Sequence, residues 1–410
     1  MAAVLALAMA PAAGAAPAAF TPTVFALSDP AGRLDSPASI AAGPDQTMWI
    51  ANAGPLHQRG AARYAIGRVD LAGHYRLYRT TGETYGIAAM RDGTVFATEP
   101  YASRIARVTP SGRVTEYPTP TFDAGPAAIT IGPDGNAWFT ETGIGGTAKI
   151  GRITPEGRIS EFPVPAQPYL ATTVAADLGT IIPGQDNRLW FTTALGIGSI
   201  STDGDVVTFE LPEPASPAGL AAAADGTLWV TESALPRVDR LTPDGGQDPL
   251  ELPEEVDGVS IVAGPDGAMY FMQSLDHTLW RAGDTLETIN LQVVDRVKRN
   301  ARPKLLSIAE NGGAPGIAMG PSDTLWIAAS TTRTGGTKGG VVVVNLGGSC
   351  IVPDLAGDTV GQARLDLSNH ACAFATVPPA TKARVGCQDP PAGTVLDHAA
   401  PVSATFGKCR

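Results

Sequence analysis

The chain has 410 residues, a formal net charge of −11, 47 glycines, 35 prolines and four cysteines. The acidic balance argues against general nucleic-acid binding, which needs a basic face, and names no partner of its own. After the first residues no segment is apolar for long enough to cross a bilayer, and so many turn formers fit an all-β chain.

Residues 1–19 read as an export signal. Ala2–Ala10 is apolar, and Ala13-Gly14-Ala15 has the small-x-small form of a cleavage site. A secreted or cell-surface protein is expected.

Residues 20–348 form one repeat array. Its clearest copy is Ala127–Pro165, which reads as four short strands with turns at Gly132-Pro133-Asp134-Gly135 and Pro155-Glu156-Gly157. Each copy places an aromatic just after its first turn: Trp49, Phe96, Trp138, Trp190, Trp229, Tyr270 and Trp326. The spacing of roughly 40–55 residues is that of propeller blades, and packing between neighbouring sheets explains the recurrence. The third strands carry Arg68, Arg107, Arg152 and Arg240, with Ser199 in the fourth copy. The fourth strands end alike, in Glu116-Tyr117-Pro118, Glu161-Phe162-Pro163 and Glu210-Leu211-Pro212. The seventh copy lacks a strand. Thr21–Leu27 is predicted to supply it by pairing with Val341–Val344, which closes the ring and removes an exposed edge.

Second strands end at the mouth of such a ring. Three end in Glu99, Glu141 and Glu232, and others in Asn52, Thr193, Gln273 and Ala329. Carboxylate and amide oxygens suit a hard cation, Mg²⁺ or Ca²⁺, and Asn52, Thr193 and Gln273 become candidate ligand contacts. A structural alternative pairs each glutamate across the strands with Arg107, Arg152 or Arg240. His57 and His277 follow second strands on the same face, whereas His74 sits in a turn away from it. Residues 295–313 carry a basic cluster that includes Arg299, a candidate contact for an anionic ligand or wall polymer. All four cysteines follow Gly348, which predicts two disulfides in residues 349–410.

The run GPDGNAWFTE…KIGRITPEGRISEFPVP closely resembles the repeat of the virginiamycin B (streptogramin B) lyases. The resemblance covers roughly Thr21–Gly348 and implies a seven-bladed β-propeller of four-stranded blades. It also implies a Mg²⁺ held by glutamates, with Glu99, Glu141 and Glu232 at the matching positions, and a histidine base. That pair would open a cyclic depsipeptide by elimination at its ester bond. The approaches to the inner strands carry no histidine, which leaves His57 or His277 as the base. The tail resembles a PASTA domain in Cys350–Gly357, Gly361–Arg364, Gln388–Val395 and Val402–Lys408. That likeness implies a helix on a three-stranded sheet, attachment to peptidoglycan, and pairings Cys350–Cys372 and Cys387–Cys409; sequence alone allows three connectivities. Two functions follow. One is a monomeric, wall-associated protein that binds a small molecule, glycan or peptide at its mouth. The other is a Mg²⁺-dependent carbon–oxygen lyase.

Overall fold

The Pro133-Asp134-Gly135 turn reverses the chain because Gly135 adopts φ 76°, where a Cβ would be strained. Asp134 Oδ1 then accepts the Asn136 N–H at 3.1 Å and the Trp138 Nε1–H at 3.0 Å, tying the turn to the aromatic of the next strand. Asp186 does the same for Trp190 at 3.3 Å, and Tyr270 O–H donates to Asp266 at 3.1 Å. The structure is a computed structural model. It describes residues 23–407 except 27, 30–31, 34–35, 55–63, 144–147, 166–178, 213–214, 244, 254–255, 274–277, 290–291, 294–303, 306–315, 334–335, 348, 370–371, 376–383 and 398–399. The predicted export signal, His57, His277, Arg299 and Cys409 lie outside the described residues.

Among the described residues, seven four-stranded antiparallel sheets form. The first comprises Pro37–Ala42, Thr47–Asn52, Tyr64–Asp70 and Tyr75–Thr80. The second comprises Ile87–Ala89, Val95–Glu99, Arg104–Val108 and Val114–Pro118. The third comprises Pro126–Ile131, Ala137–Glu141, Lys149–Ile153 and Ile159–Pro163. The fourth comprises Ile181–Pro183, Arg188–Thr193, Gly196–Ser201 and Val206–Glu210. The fifth comprises Pro217–Ala222, Leu228–Glu232, Arg237–Leu241 and Leu250–Glu251. The sixth comprises Gly258–Ala263, Met269–Gln273, Leu279–Ala282 and Leu286–Ile289. In the seventh, Ile317–Met319, Thr324–Arg333 and Gly336–Asn345 are joined by Thr23–Ala26. Thr23 lies opposite Val343 and Phe25 opposite Val341, so the strand predicted to complete the array does so in the predicted place. The first strand of each sheet touches that of the next, and the seventh touches the first.

The recurring aromatics fill the joints between sheets. Trp49 packs with Ile87 and Val95 of the second sheet, Phe96 with Phe139 of the third, and Trp138 with Leu189 of the fourth. Trp190 packs with Leu220 and Leu228, Trp229 with Ile261, Tyr270 with Leu325, and Trp326 with Met48. Burying each such ring stabilises the joint by roughly 1.5–3 kcal/mol. The repeated arginines lie over these rings rather than beside the glutamates. Arg152 Cζ is 5.2 Å from the Trp138 centroid, Arg68 5.6 Å from Trp49 and Arg240 5.4 Å from Trp229. The alternative pairing of Arg107, Arg152 and Arg240 with the glutamates is therefore corrected. Register sets Arg152 opposite Trp138 and Lys149 opposite Glu141, and sets Arg107 opposite Phe96 and Arg104 opposite Glu99.

Residues 350–407 have their own core of Val352, Leu355, Ala363, Leu367, Val385 and Val402. The helix Val360–Asn369 accompanies a three-stranded sheet of Ala373–Phe374, Pro401–Phe406 and Val385–Asp389. Cys350–Ile351 pairs with Val395–Leu396. Cys350 and Cys372 form a disulfide, and Cys387 is also disulfide-bonded. Ile351 joins the cluster of Met48, Leu71, Trp326 and Val343, so this unit rests on the first and seventh sheets.

Candidate functional site

Second strands end, and third strands begin, on one face of the array. Alternation along the second strand decides where its last residue goes. Val95 and Ala97 pack toward Trp49 of the first sheet, and Glu99 continues that row. Ala137 and Phe139 pack toward Phe96, and Glu141 follows them. Leu228 and Val230 pack toward Ile197, with Glu232 in line. All three glutamates are thus buried in joints between sheets, at 0%, 1% and 0% exposure, rather than standing free at the mouth.

Each glutamate belongs to a local group of two carboxyls and one cation. Arg104 lies 3.2 Å from Glu99 Oε2 and 3.3 Å from Glu116 Oε2. Lys149, opposite Glu141, lies 2.7 Å from Glu161 Oε2. Arg237, beside Glu232, lies 3.2 Å from Asp239. One positive charge cannot balance two carboxylates, and burial disfavours the unbalanced one. Burial, then Glu116, push Glu99 up to about 7 against Arg104. Burial, then Glu161, push Glu141 up to about 8 against Lys149. Burial raises Glu232 to about 7; the Ser216 N–H opposes this and Asp239 adds to it. Among the described residues, neither oxygen of Glu141, nor Oε1 of Glu232, has a hydrogen-bond partner. The partner carboxylates are well held: the Thr81 N–H donates to Glu116 at 2.7 Å and the Thr121 N–H to Glu161 at 2.8 Å. These bonds also clasp each sheet to the one before it.

Among the described residues no three His, Cys, Asp or Glu side chains come together as a metal cage. Glu99, Glu141 and Glu232 each sit in a separate joint, so these three alone do not fit a shared ion, and no chemical step is derived through one. Asn52 is buried, and its Oδ1 accepts the Ser36 N–H at 3.0 Å. Thr193 is buried as well. Gln273 Oε1 accepts the Trp280 Nε1–H at 3.2 Å.

The same face carries aromatics that the sequence reading passed over. Tyr101, just after Glu99-Pro100, is 81% exposed, and Phe122, just after the Thr121 clasp, is 88% exposed. Tyr85 donates to the Tyr101 hydroxyl at 3.3 Å with the rings edge to face. Burial, the Tyr101 bond and Glu83 all hold the Tyr85 phenol protonated. The available signal was positional: each sits in a loop on the mouth face, where an aromatic has no core to fill.

Residues 166–337 match the model of the virginiamycin B lyase family. A curated virginiamycin B lyase of Nocardia farcinica is 46% identical over 55 residues; the match spans 13% of this chain and 19% of that protein's length. A streptogramin B lyase structure superposes with a TM-score of 0.63 at 26% identity, over 80% of this chain and 98% of that one. The virginiamycin B lyase of Staphylococcus aureus gives 0.62 at 25% identity over 80% and 99%. A catalytically inactive variant of the Staphylococcus aureus enzyme with quinupristin gives 0.60 at 26% over 78% and 99%. The meanders described above are therefore those of a β-propeller like the streptogramin B lyases, and residues 166–337 carry a virginiamycin B lyase family domain.

Proposed function

We propose that the seven sheets are the blades of one closed seven-bladed propeller, and that its mouth face binds a cyclic peptide or depsipeptide. The observation that carries this reading is the exposure of Tyr101 and Phe122 on that face, 81% and 88%. Large exposed aromatics suit a ligand with an apolar body. Beneath them, Glu99 and Glu141 are carboxyl groups poised near neutrality, able to accept or donate a proton. The solved relative with quinupristin supplies the ligand class. We further propose that the chain is exported and acts as a monomer at the cell surface. Its tail is a PASTA-like domain contacting peptidoglycan, and Cys387–Cys409 is its second disulfide.

Calorimetric titration with quinupristin tests the binding. Saturable binding that weakens at least fivefold in Tyr101→Ala supports it; no binding at millimolar quinupristin overturns it. The second reading is turnover by carbon–oxygen elimination, which the likeness to streptogramin B lyases favours. Elimination leaves the mass unchanged, so chromatography with fragmentation mass spectrometry after incubation with Mg²⁺, with and without chelator, separates the two. A linear product that the chelator suppresses establishes the lyase, with His57 or His277 the first bases to replace. Binding with no product leaves the protein a receptor.

A further inference from the structure

The repeat supplies its own control for the joint between the fourth and fifth sheets. In the joint before it, Trp138 and Phe162 stack with centroids 5.5 Å apart. Arg152 caps both rings, 5.2 Å and 5.3 Å from their centroids. Its Nη1 donates to the Thr202 carbonyl in the next sheet's turn at 2.9 Å. Phe162 also covers Gly204, where a Cβ would meet its ring. The joint between the second and third sheets is built alike: Arg107 lies over Tyr117 and donates to the Pro155 carbonyl, and Tyr117 covers Gly157.

The fourth sheet keeps the aromatic pair and drops the arginine. Trp190 and Phe209 stack at 5.7 Å, but Ser199 stands opposite Trp190. Arg188 turns back onto its own sheet, donating from Nε to Ser199 Oγ at 3.0 Å and from Nη2 to the Asp205 carbonyl at 2.8 Å. Gly245, the counterpart of Gly204, faces open space. Phe209 is left 45% exposed. The result is a cavity of about 510 Å³ between the sheets, a size suited to a small organic molecule. Trp190, Phe209 and Pro243 form part of its wall; among the described residues that line it, Asp186, Glu210 and Asp225 are acidic and none is Lys or Arg.

We propose that this cavity binds an organic cation, an alkylguanidinium or alkylammonium. Its head takes the place that Arg152 holds one joint earlier, against the Trp190–Phe209 pair and donating to the Pro243 carbonyl, the counterpart of Thr202. Its alkyl body covers the apolar wall. A cation over aromatic faces is favoured by the ring quadrupole, and the three acids add charge complementarity. The site is separate from the mouth, so it stands or falls independently of depsipeptide binding.

Titration of the full chain with hexylguanidinium, hexylammonium, hexanol and hexanoate, followed by calorimetry, tests it. Both cations should saturate one site, with hexanol and hexanoate at least tenfold weaker. Ser199→Arg restores the arginine of the sister sheets and should abolish cation binding while melting at or above the wild-type temperature. Phe209→Leu, at an exposed position, should weaken binding at least fivefold without loss of fold. Cation binding no tighter than hexanol, or unchanged in both variants, overturns the proposal, as does no saturable binding in the wild type.

Discussion

Glu141 offers the sharpest test of the buried carboxyls. It is 1% exposed and faces Lys149, with Glu161 beside it. Burial first and Glu161 second raise it from 4.5 to about 8. Within that window the folded protein keeps a proton that the unfolded chain has released. The stability linked to this group is thus fully present below the unfolded value and is lost as pH rises through the folded one. The slope is about 1.4 kcal/mol per pH unit, so the loss across the window is on the order of 5 kcal/mol. Glu141→Gln keeps a neutral side chain of the same shape at every pH. Urea unfolding at pH 5, 7 and 9 should give nearly equal stabilities at pH 5 and a more stable variant at pH 9, by about 3–5 kcal/mol. The other raised carboxyls, Glu99 and Glu232, are common to both proteins and cancel. A difference independent of pH, or a variant that is the weaker protein at pH 9, would refute the reasoning.

Arg152→Met should lose the contacts with Trp138 and Phe162 and the bond to Thr202, costing about 1–3 kcal/mol in chemical denaturation. Gly157 and Gly245 make a matched pair at φ 94° and 88°. Alanine at either strains the backbone by about 1 kcal/mol, but only at Gly157 does the new Cβ meet a ring, that of Tyr117. Gly157→Ala should therefore lower the melting temperature clearly more than Gly245→Ala. Removing residues up to Ala26 exposes the edge of Gly336–Asn345 and should produce concentration-dependent aggregation in light scattering.

The frame of the fold was legible because hairpin chemistry is local: a tight turn containing an aspartate, and an aromatic placed after it, mark each meander. The closing strand was legible by subtraction, since one copy was a strand short. The partners of the charged residues were not read correctly. Arg107 and Arg152 are the fourth residues of their strands, and counting back from Glu99 and Glu141 lands on Phe96 and Trp138; shared polarity suggested the wrong pairs where register gave the right ones. The second carboxyl of each group was half visible. Glu116 and Glu161 recur in the fourth strands, but their role depends on the thread of chain leaving the previous sheet, at Thr81 and Thr121. In the fourth sheet the apparent counterpart Glu210 is offset. Phe209, not Leu211, aligns with Phe162, because Ile197 and Ile150 are their respective partners. Sequence likeness cannot reveal such a two-residue slip, and the cavity beside Phe209 follows from it together with Ser199.

Ile351 packs among Met48 and Leu71 on one side and Trp326 and Val343 on the other, so the C-terminal unit sits across the seam where the array's first and last members meet. That seam is also where Thr23–Ala26 pairs with Gly340–Val343. A circle of sheets parts first at its join, and here the join carries a latch. Heat or force that opened it would have to strip the latch as well, which favours one cooperative melting transition for both units over two. The latch grips near Leu71, at the end of the first sheet remote from Asn52 and the buried glutamates, so the lock on the join and the candidate site occupy opposite ends of the sheets.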